Sequence, residues 1–82
     1  MPHFIYILKS LKDHKYYIGE SANVTARLKF HNAGKQRSTK SRMPFVLILT
    51  EEFQDKEQAL RREKQIKSWK GGSPFKKLLE GR

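Results

Sequence analysis

Two tyrosines, Tyr6 and Tyr17, stand in short β-prone segments that are close enough in sequence to face each other across a hairpin. A phenol hydroxyl is costly to bury without a hydrogen-bond partner, so two of them on neighbouring strands indicate one shared network or a reactive surface. A phenol titrates near pH 10 and acts as a base at lower pH only beside positive charge or a metal-bound water. Taken singly, a strand tyrosine is more often a core aromatic, so the pair needs support from other residues.

Glu63 is a carboxylate on the apolar face of a predicted helix, among apolar residues that recur at helical spacing between Ala59 and Ile66. A carboxylate in that position must be paired or must bind a cation. Pairing with Lys67 or Arg27 is one interpretation. The other is binding of one Mg²⁺ or Mn²⁺ ion, since Mg²⁺ keeps most of its waters and takes further oxygen ligands from a substrate phosphate.

Arg27 and His31 are one helical turn apart and could point to the same patch. The planar fork of an arginine donates two parallel hydrogen bonds to phosphate and stays charged at any working pH. His31 could orient a tyrosine hydroxyl or help to move a proton. The alternatives are an ordinary solvated arginine and a histidine that interacts with the helix dipole.

Charge and size narrow the class of protein. The 82 residues, 37% of them hydrophobic, suffice for one domain spanning residues 1–82. Lysine and arginine number 18 against 8 acidic residues, a net charge of +10 that favours nucleic acid as a partner over a merely soluble basic surface or anionic lipid. Cysteine is absent, which excludes disulfides and thiolate zinc sites. The sequence shows neither a membrane-length apolar run nor a signal-peptide layout, so we expect a soluble cytoplasmic protein.

The apolar patterning predicts the order strand, strand, helix, strand, helix, helix, an α+β arrangement. Strands are predicted at 4–8, 15–19 and 45–49, and helices at 23–32, at 55–69 and from 73 onward. The third strand is a continuous apolar run, which predicts burial on both faces and a central place in the sheet. The polar, basic segment 35–42 is predicted to be an exposed loop that could bind a phosphate backbone.

At this point the residues resemble the GIY-YIG nuclease domain family, in its small single-domain bacterial form, the UPF0213 type. Phe4-Ile5-Tyr6 stands for the first motif with Phe4 in place of its glycine, and Tyr17-Ile18-Gly19 matches the second. Arg27 stands at the family's helix arginine, and the stretch His31-Asn32 with Gly34 resembles its "HN.G" segment. The run from Ala59 to Glu63 resembles its "A..RE" segment, so the likeness covers nearly the whole chain.

The resemblance implies a small three-stranded antiparallel sheet flanked by helices, and a DNA endonuclease of low sequence specificity with a role in DNA repair or processing. It implies that Glu63 holds one divalent cation, that Arg27 steadies the phosphate and that Tyr17 is the base, with Tyr6 as its partner or an alternative base. His31 joins them as a candidate catalytic residue. Contacts to nucleic acid, RNA not excluded, are expected from the following residues: Gly19, Lys35, Arg37, Lys40, Arg42, Lys64, Lys67 and Lys70.

One departure weakens the expected activity. Some repair members of the family carry a lysine directly after the second motif, where this chain has Glu20, an acid that would repel phosphate if it pointed into the site. The alternative is therefore a nucleic-acid-binding module of the same fold with little or no turnover, or one that acts only when a larger protein partner presents the strand. Membrane binding is not expected, because no basic amphipathic helix exposes aromatic residues.

Overall fold

The computed structural model describes residues 1–69 and 72–81, folded around one antiparallel sheet of three strands. In chain order the elements are β1 (His3–Ser10), β2 (Tyr16–Ser21), α1 (Val24–Asn32), a short 3-10 helix (Lys40–Arg42), β3 (Phe45–Phe53), α2 (Lys56–Trp69) and α3 (Ser73–Glu80). The predicted order of strands and helices and the α+β class are confirmed. Lys70, a predicted nucleic-acid contact, lies outside the described residues. Across the two described segments, the helices lack the combined length and apolar character that crossing a bilayer requires.

The strand order is β2-β1-β3, so the prediction of a central third strand is wrong. The central strand is β1, whose residues from Ile5 to Leu8 are at most 1% exposed. In β3, Val46 and Leu47 are 38% and 42% exposed. A continuous apolar run favours burial, but strand order depends on which partners pair on both sides, and the run itself carries no information on that.

The sheet has two covered faces. On one, which we call the α2 face, α2 packs on all three strands and α3 packs against α2, around a buried cluster: Ile5, Ile7, Leu49, Ala59, Ile66 and Phe75. On the other, the α1 face, Tyr6, Leu8 and Phe45 are buried, with partly buried Tyr17, Val24 and Leu28 packed against them. Burying one large apolar side chain contributes roughly 1.5–3 kcal/mol, so the two clusters hold the sheet between its helices.

Local contacts explain why α1 begins and ends where it does. The Asn23 side chain accepts a hydrogen bond from the Ala26 N–H at 3.0 Å, which caps the first turn. After α1, Gly34 has a φ of +72°, a backbone conformation that L side chains rarely adopt. The Asn32 side chain accepts from the Phe45 N–H at 2.7 Å and donates to its carbonyl at 3.0 Å. The end of α1 is therefore tied directly to the first residue of β3.

Candidate active site

Tyr6 lies on the α1 face with its ring against the backbone of Gly19, its register partner in β2. A Cβ atom at position 19 would come 2.5 Å from both the Cζ and the hydroxyl oxygen of Tyr6. Only a glycine leaves room for the tyrosine ring to cross β2. Gly19, predicted as a nucleic-acid contact, is itself buried, and the structure gives it this packing role.

A chain of hydrogen bonds starts at the Tyr6 hydroxyl. It lies 3.1 Å from Nε2 of the buried His31, and Nδ1 of His31 lies 2.9 Å from the hydroxyl of the buried Thr39. The Thr39 hydroxyl donates to the Gln36 carbonyl at 3.4 Å. Because that hydroxyl hydrogen is used, Thr39 accepts from Nδ1–H, and Nε2 is left to accept from Tyr6. The network thus assigns His31 the neutral tautomer with its proton on Nδ1.

The pKa values of both partners fit this assignment. Burial, reinforced by the positive charge of Arg27, lowers the pKa of His31 below its usual value, so the imidazole is neutral near pH 7. Burial is also the main cause that raises the pKa of Tyr6 to about 12. The nearby Tyr17 and Glu63 raise it further, whereas Arg27 opposes the shift. One buried hydroxyl therefore lies within electrostatic reach of the tyrosine, arginine and glutamate that the sequence predicts to be catalytic.

Tyr17 occupies the outer part of the same cluster. Its ring centroid lies 4.8 Å from that of His31 and 6.3 Å from that of Tyr6, and its side chain is partly exposed. Tyr6, in contrast, is only 1% exposed. Of the two predicted tyrosines, Tyr17 is the one that a substrate can contact.

Arg27 projects from α1 beside this cluster. Its guanidinium carbon lies 4.8 Å from the centroid of the Phe30 ring. No carboxylate of residues 1–69 or 72–81 lies within ion-pair distance of Arg27. A guanidinium held by an aromatic ring and not neutralised by an acid is suited to binding a phosphate.

Glu63 projects from α2 and forms an ion pair with Lys67 one turn later, at 2.8 Å, so the paired alternative considered for this residue is present. The Lys67 side chain is 53% exposed and that of Glu63 16%. Because the lysine is the exposed partner, its ammonium has solvent to move into if a cation takes its place at the carboxylate.

A divalent cation would find few other ligands. The described residues contain no group of three or more histidine, cysteine, aspartate or glutamate side chains that could hold a metal ion. A single carboxylate cannot by itself complete the coordination shell of a metal ion. It fits Mg²⁺, which binds through one or two carboxylates and otherwise keeps water and phosphate oxygens.

The next feature is a cavity along the outer edge of β2, which is an edge strand of the sheet. Tyr17 belongs to the α1 face and Lys67 to α2, yet both line one cavity along this edge. Glu63 is the ion-pair partner of that lysine. Through Lys67, Glu63 is therefore connected to the cavity that Tyr17 lines.

Glu20 does not point toward the tyrosines. It pairs in register with Ile5, so its side chain lies on the α2 face, opposite the face of Tyr6. There its carboxylate contacts Nδ1 of His3 at 2.6 Å. The repulsion of substrate phosphate considered for Glu20 is not supported by this geometry.

The predicted nucleic-acid contacts separate into two groups. Five of these basic residues are exposed: Lys35, Arg37, Lys40, Lys64 and Lys67. Arg42 is instead engaged within the protein, since it pairs with Asp13 at 2.9 Å and its guanidinium carbon lies 5.6 Å from the Phe45 ring centroid. Its contacts are those of a residue that holds the loop to the sheet.

Thr39 is a residue of the site that the sequence did not reveal. The segment 35–42 was predicted to be an exposed loop, but Thr39 is fully buried and bonded to His31. A threonine in a polar segment eight positions after a histidine has no signal that distinguishes it from its neighbours. The two hydrogen bonds between the Asn32 side chain and the Phe45 backbone could not be predicted from the sequence for the same reason.

Comparison with known proteins gives the class to which this geometry belongs. The chain matches the GIY-YIG catalytic domain over residues 2–77. It belongs to the GIY-YIG family, a family of nucleases, and the predicted resemblance is confirmed.

Several similar proteins are UPF0213 proteins. The chain is 43% identical over 79 residues to a UPF0213 protein of Staphylococcus haemolyticus, covering 95% of each chain. It is 39% identical over 80 residues to one of Staphylococcus epidermidis, covering 96% of each. The solution NMR structure of the UPF0213 protein BH0048 from Bacillus halodurans matches with a TM-score of 0.56 at 36% identity, over 99% of this chain and 84% of that one.

Proposed function

We propose that this protein is a divalent-metal-dependent endonuclease that hydrolyses phosphodiester bonds of DNA with low sequence specificity. The observation that supports it is the grouping of the predicted catalytic residues around the Tyr6 hydroxyl, which lies 3.1 Å from Nε2 of His31 and within electrostatic reach of Tyr17, Arg27 and Glu63, in a chain of the GIY-YIG family. We propose that the protein processes or repairs DNA in the cytoplasm.

The substrate is held by its backbone. Arg27 lacks an acidic partner within the described residues and would donate to the phosphoryl oxygens of the scissile phosphate. Exposed Lys35, Arg37 and Lys40 would contact neighbouring phosphates. Phosphate contacts position a strand without distinguishing its bases, so these residues explain low sequence specificity.

Glu63 would hold one Mg²⁺ or Mn²⁺ ion, with Lys67 displaced toward solvent. When bound, such an ion acts as a Lewis acid that offsets negative charge on the phosphoryl group. Arg27 adds positive charge of the same kind from the protein. Removing a single donor that stabilises transition-state charge commonly lowers kcat by about 10²–10³, so Arg27 is expected to matter on that scale.

Tyr17 takes the proton of the attacking water. To act as this base, Tyr17 first passes its hydroxyl proton to solvent. The water oxygen forms the new bond to phosphorus, its proton passes to the phenolate oxygen, and the leaving oxygen departs with the electrons of the broken P–O bond and is protonated from solvent. Tyr6 and His31 hold the Tyr17 ring in place, because both rings contact it and are themselves fixed by hydrogen bonds.

The test is the substitution Glu63→Gln. It keeps the shape of the side chain and removes the negative charge, so cleavage of nicked, branched and flap DNA with Mg²⁺ or Mn²⁺ should vanish while DNA binding persists. Glu57→Gln is the matched control, since Glu57 also forms an i,i+4 pair on α2, with Arg61 at 2.6 Å, but is 74% exposed. Undiminished cleavage by Glu63→Gln would overturn the proposal.

A second candidate is a nucleic-acid-binding module that lacks turnover, or one that acts only with a larger protein partner. The ion pair between Glu63 and Lys67 favours it, because Lys67 occupies the carboxylate that a metal ion needs. The same assay decides between the two. If the wild-type protein binds these DNAs but cuts none of them with either ion, the binding module is correct.

A further inference from the structure

A cavity of about 540 Å³ lies along the free edge of β2, within the roughly 300–1,000 Å³ of ordinary ligand sites. Tyr16 and Ile18 from β2, with the buried Ile66 and Phe75 from α2 and α3, contribute its apolar lining. The exposed Lys15 and Lys67 line it as well. The cavity therefore combines apolar, largely aromatic walls with positive charge.

This cavity shares residues with the candidate active site. Tyr17 lines it, and the ring of Tyr17 also contacts His31. Lys67 lines it too and pairs with Glu63 at 2.8 Å. The cavity therefore borders the candidate active site at Tyr17 and Lys67.

The aromatic wall is held in place by packing. Tyr16 and Phe75 meet edge to face, with ring centroids 5.3 Å apart and an interplanar angle of 72°. The ammonium of Lys9 lies 5.8 Å from the Tyr16 ring centroid. A fixed aromatic surface with cations beside it is suited to a flat π-system attached to a polyanion, because bases stack on aromatic side chains and lysines attract the backbone.

We propose that this cavity binds an unstacked nucleobase of a nucleotide next to the scissile phosphate. The inference rests on the proposed nuclease function and specifies its substrate. A base inside a duplex is paired and stacked, so extracting it costs free energy that an unpaired base does not require. The preferred substrate is then a single strand or an unpaired nucleotide at a flap, nick or junction.

Charge favours this occupant over two others. A second copy of the chain would bring another net charge of +10 to a site that already contains Lys15 and Lys67. An apolar peptide would fill the walls but make no use of the positive charge of the exposed Lys15. A nucleotide satisfies both parts of the lining.

The experiment measures binding, without divalent cations, of a short single-stranded DNA labelled at one end. An abasic site is moved through the strand one position at a time. One position, or two adjacent ones, should weaken binding about tenfold, the size expected for losing one base–aromatic stack. Equal affinity at every position overturns the proposal. Because cleavage is not measured, an inactive protein would refute the nuclease function without affecting this result.

Two variants test whether the discrimination arises in this cavity. Tyr16→Leu removes the ring and should make abasic and intact strands bind equally, whereas Tyr16→Phe keeps the ring and should behave as wild type. If Tyr16→Leu does not fold, amide NMR of the wild-type protein decides instead. The chemical shifts of Tyr16, Ile18 and Phe75 should differ between the complex with the intact strand and the complex with the abasic strand. Differences confined to other parts of the chain, or shifts that depend only on protein concentration, would overturn the proposal.

Discussion

The hydroxyl of Thr39 accepts the Nδ1 hydrogen of His31 at 2.9 Å, and both side chains are buried. This hydrogen bond determines which ring nitrogen faces Tyr6. A neutral imidazole has one donor and one acceptor nitrogen, so fixing the donor toward Thr39 presents the acceptor to the Tyr6 hydroxyl.

Thr39→Val should therefore disturb the Tyr6–His31 pair although position 39 is outside the family motifs. The valine has the same shape but leaves the Nδ1 hydrogen without an acceptor, at a cost of about 1–3 kcal/mol of stability. Imidazole ¹⁵N NMR should show the Nδ1–H tautomer in the wild type and in Thr39→Ser, and a mixture in Thr39→Val. A wild-type protein with its proton on Nε2 would contradict the network.

Gly19→Ala should be strongly destabilising. Its Cβ would lie 2.5 Å from the Tyr6 hydroxyl oxygen, so the buried ring must move, and overpacking of this kind costs about 1–3 kcal/mol. Gly81→Ala is the matched control, since the nearest atom to a Cβ there is the Lys77 carbonyl oxygen at an ordinary 3.4 Å. Urea unfolding measures both. Equal midpoints for the two variants would show that the Tyr6 ring does not need the space above Gly19.

Acidification should destabilise the protein through His31. Its folded-state pKa is lowered, so its contribution to stability is present above the unfolded value of 6.5 and is lost as the pH falls below it. Urea unfolding at about pH 7.5 and about pH 5.5 should show a smaller pH dependence for His31→Gln than for the wild type.

The matched control for that prediction is His14→Asn. His14 is exposed at a positive φ of 62°, a conformation that asparagine tolerates, so the variant should keep the wild-type pH dependence. The lowered pKa of Asp13 acts only below about 3.8, outside this range. Identical pH dependence in His31→Gln and the wild type would mean that His31 does not titrate as the structure requires.

The basic loop should be visible in the salt dependence of DNA binding. The double variant Arg37→Gln/Lys40→Gln should reduce the slope of log K against log salt concentration by about 1 for each phosphate that is no longer neutralised. Arg42→Gln should leave the slope nearly unchanged, because Arg42 pairs with Asp13, and should instead lower stability by up to about 1 kcal/mol.

Lys56→Gln, which replaces an exposed lysine at the start of α2, serves as the control for nonspecific loss of charge. If Lys56→Gln changed the slope as much as the double variant does, the loop would have no special role in DNA binding. Binding titrations at several salt concentrations decide this.

The sequence by itself determined the order of the elements and the residue types of the site. Strand and helix periodicity acts over a few residues, so it can be recognised in one dimension. Tyr6, Tyr17, Arg27, His31 and Glu63 were recognisable because the family motifs are local strings with characteristic spacing.

Only the tertiary structure decided the strand order, the orientation of Glu20, the engagement of Arg42 and the burial of Thr39. Three of these depend on a partner far away in sequence: Glu20 faces His3, Arg42 faces Asp13 and β1 pairs on both sides. The fourth, the burial of Thr39, depends on the loop folding back against His31. The physical reason is that local sequence limits backbone conformation, whereas the choice of long-range partner follows from packing of the whole chain.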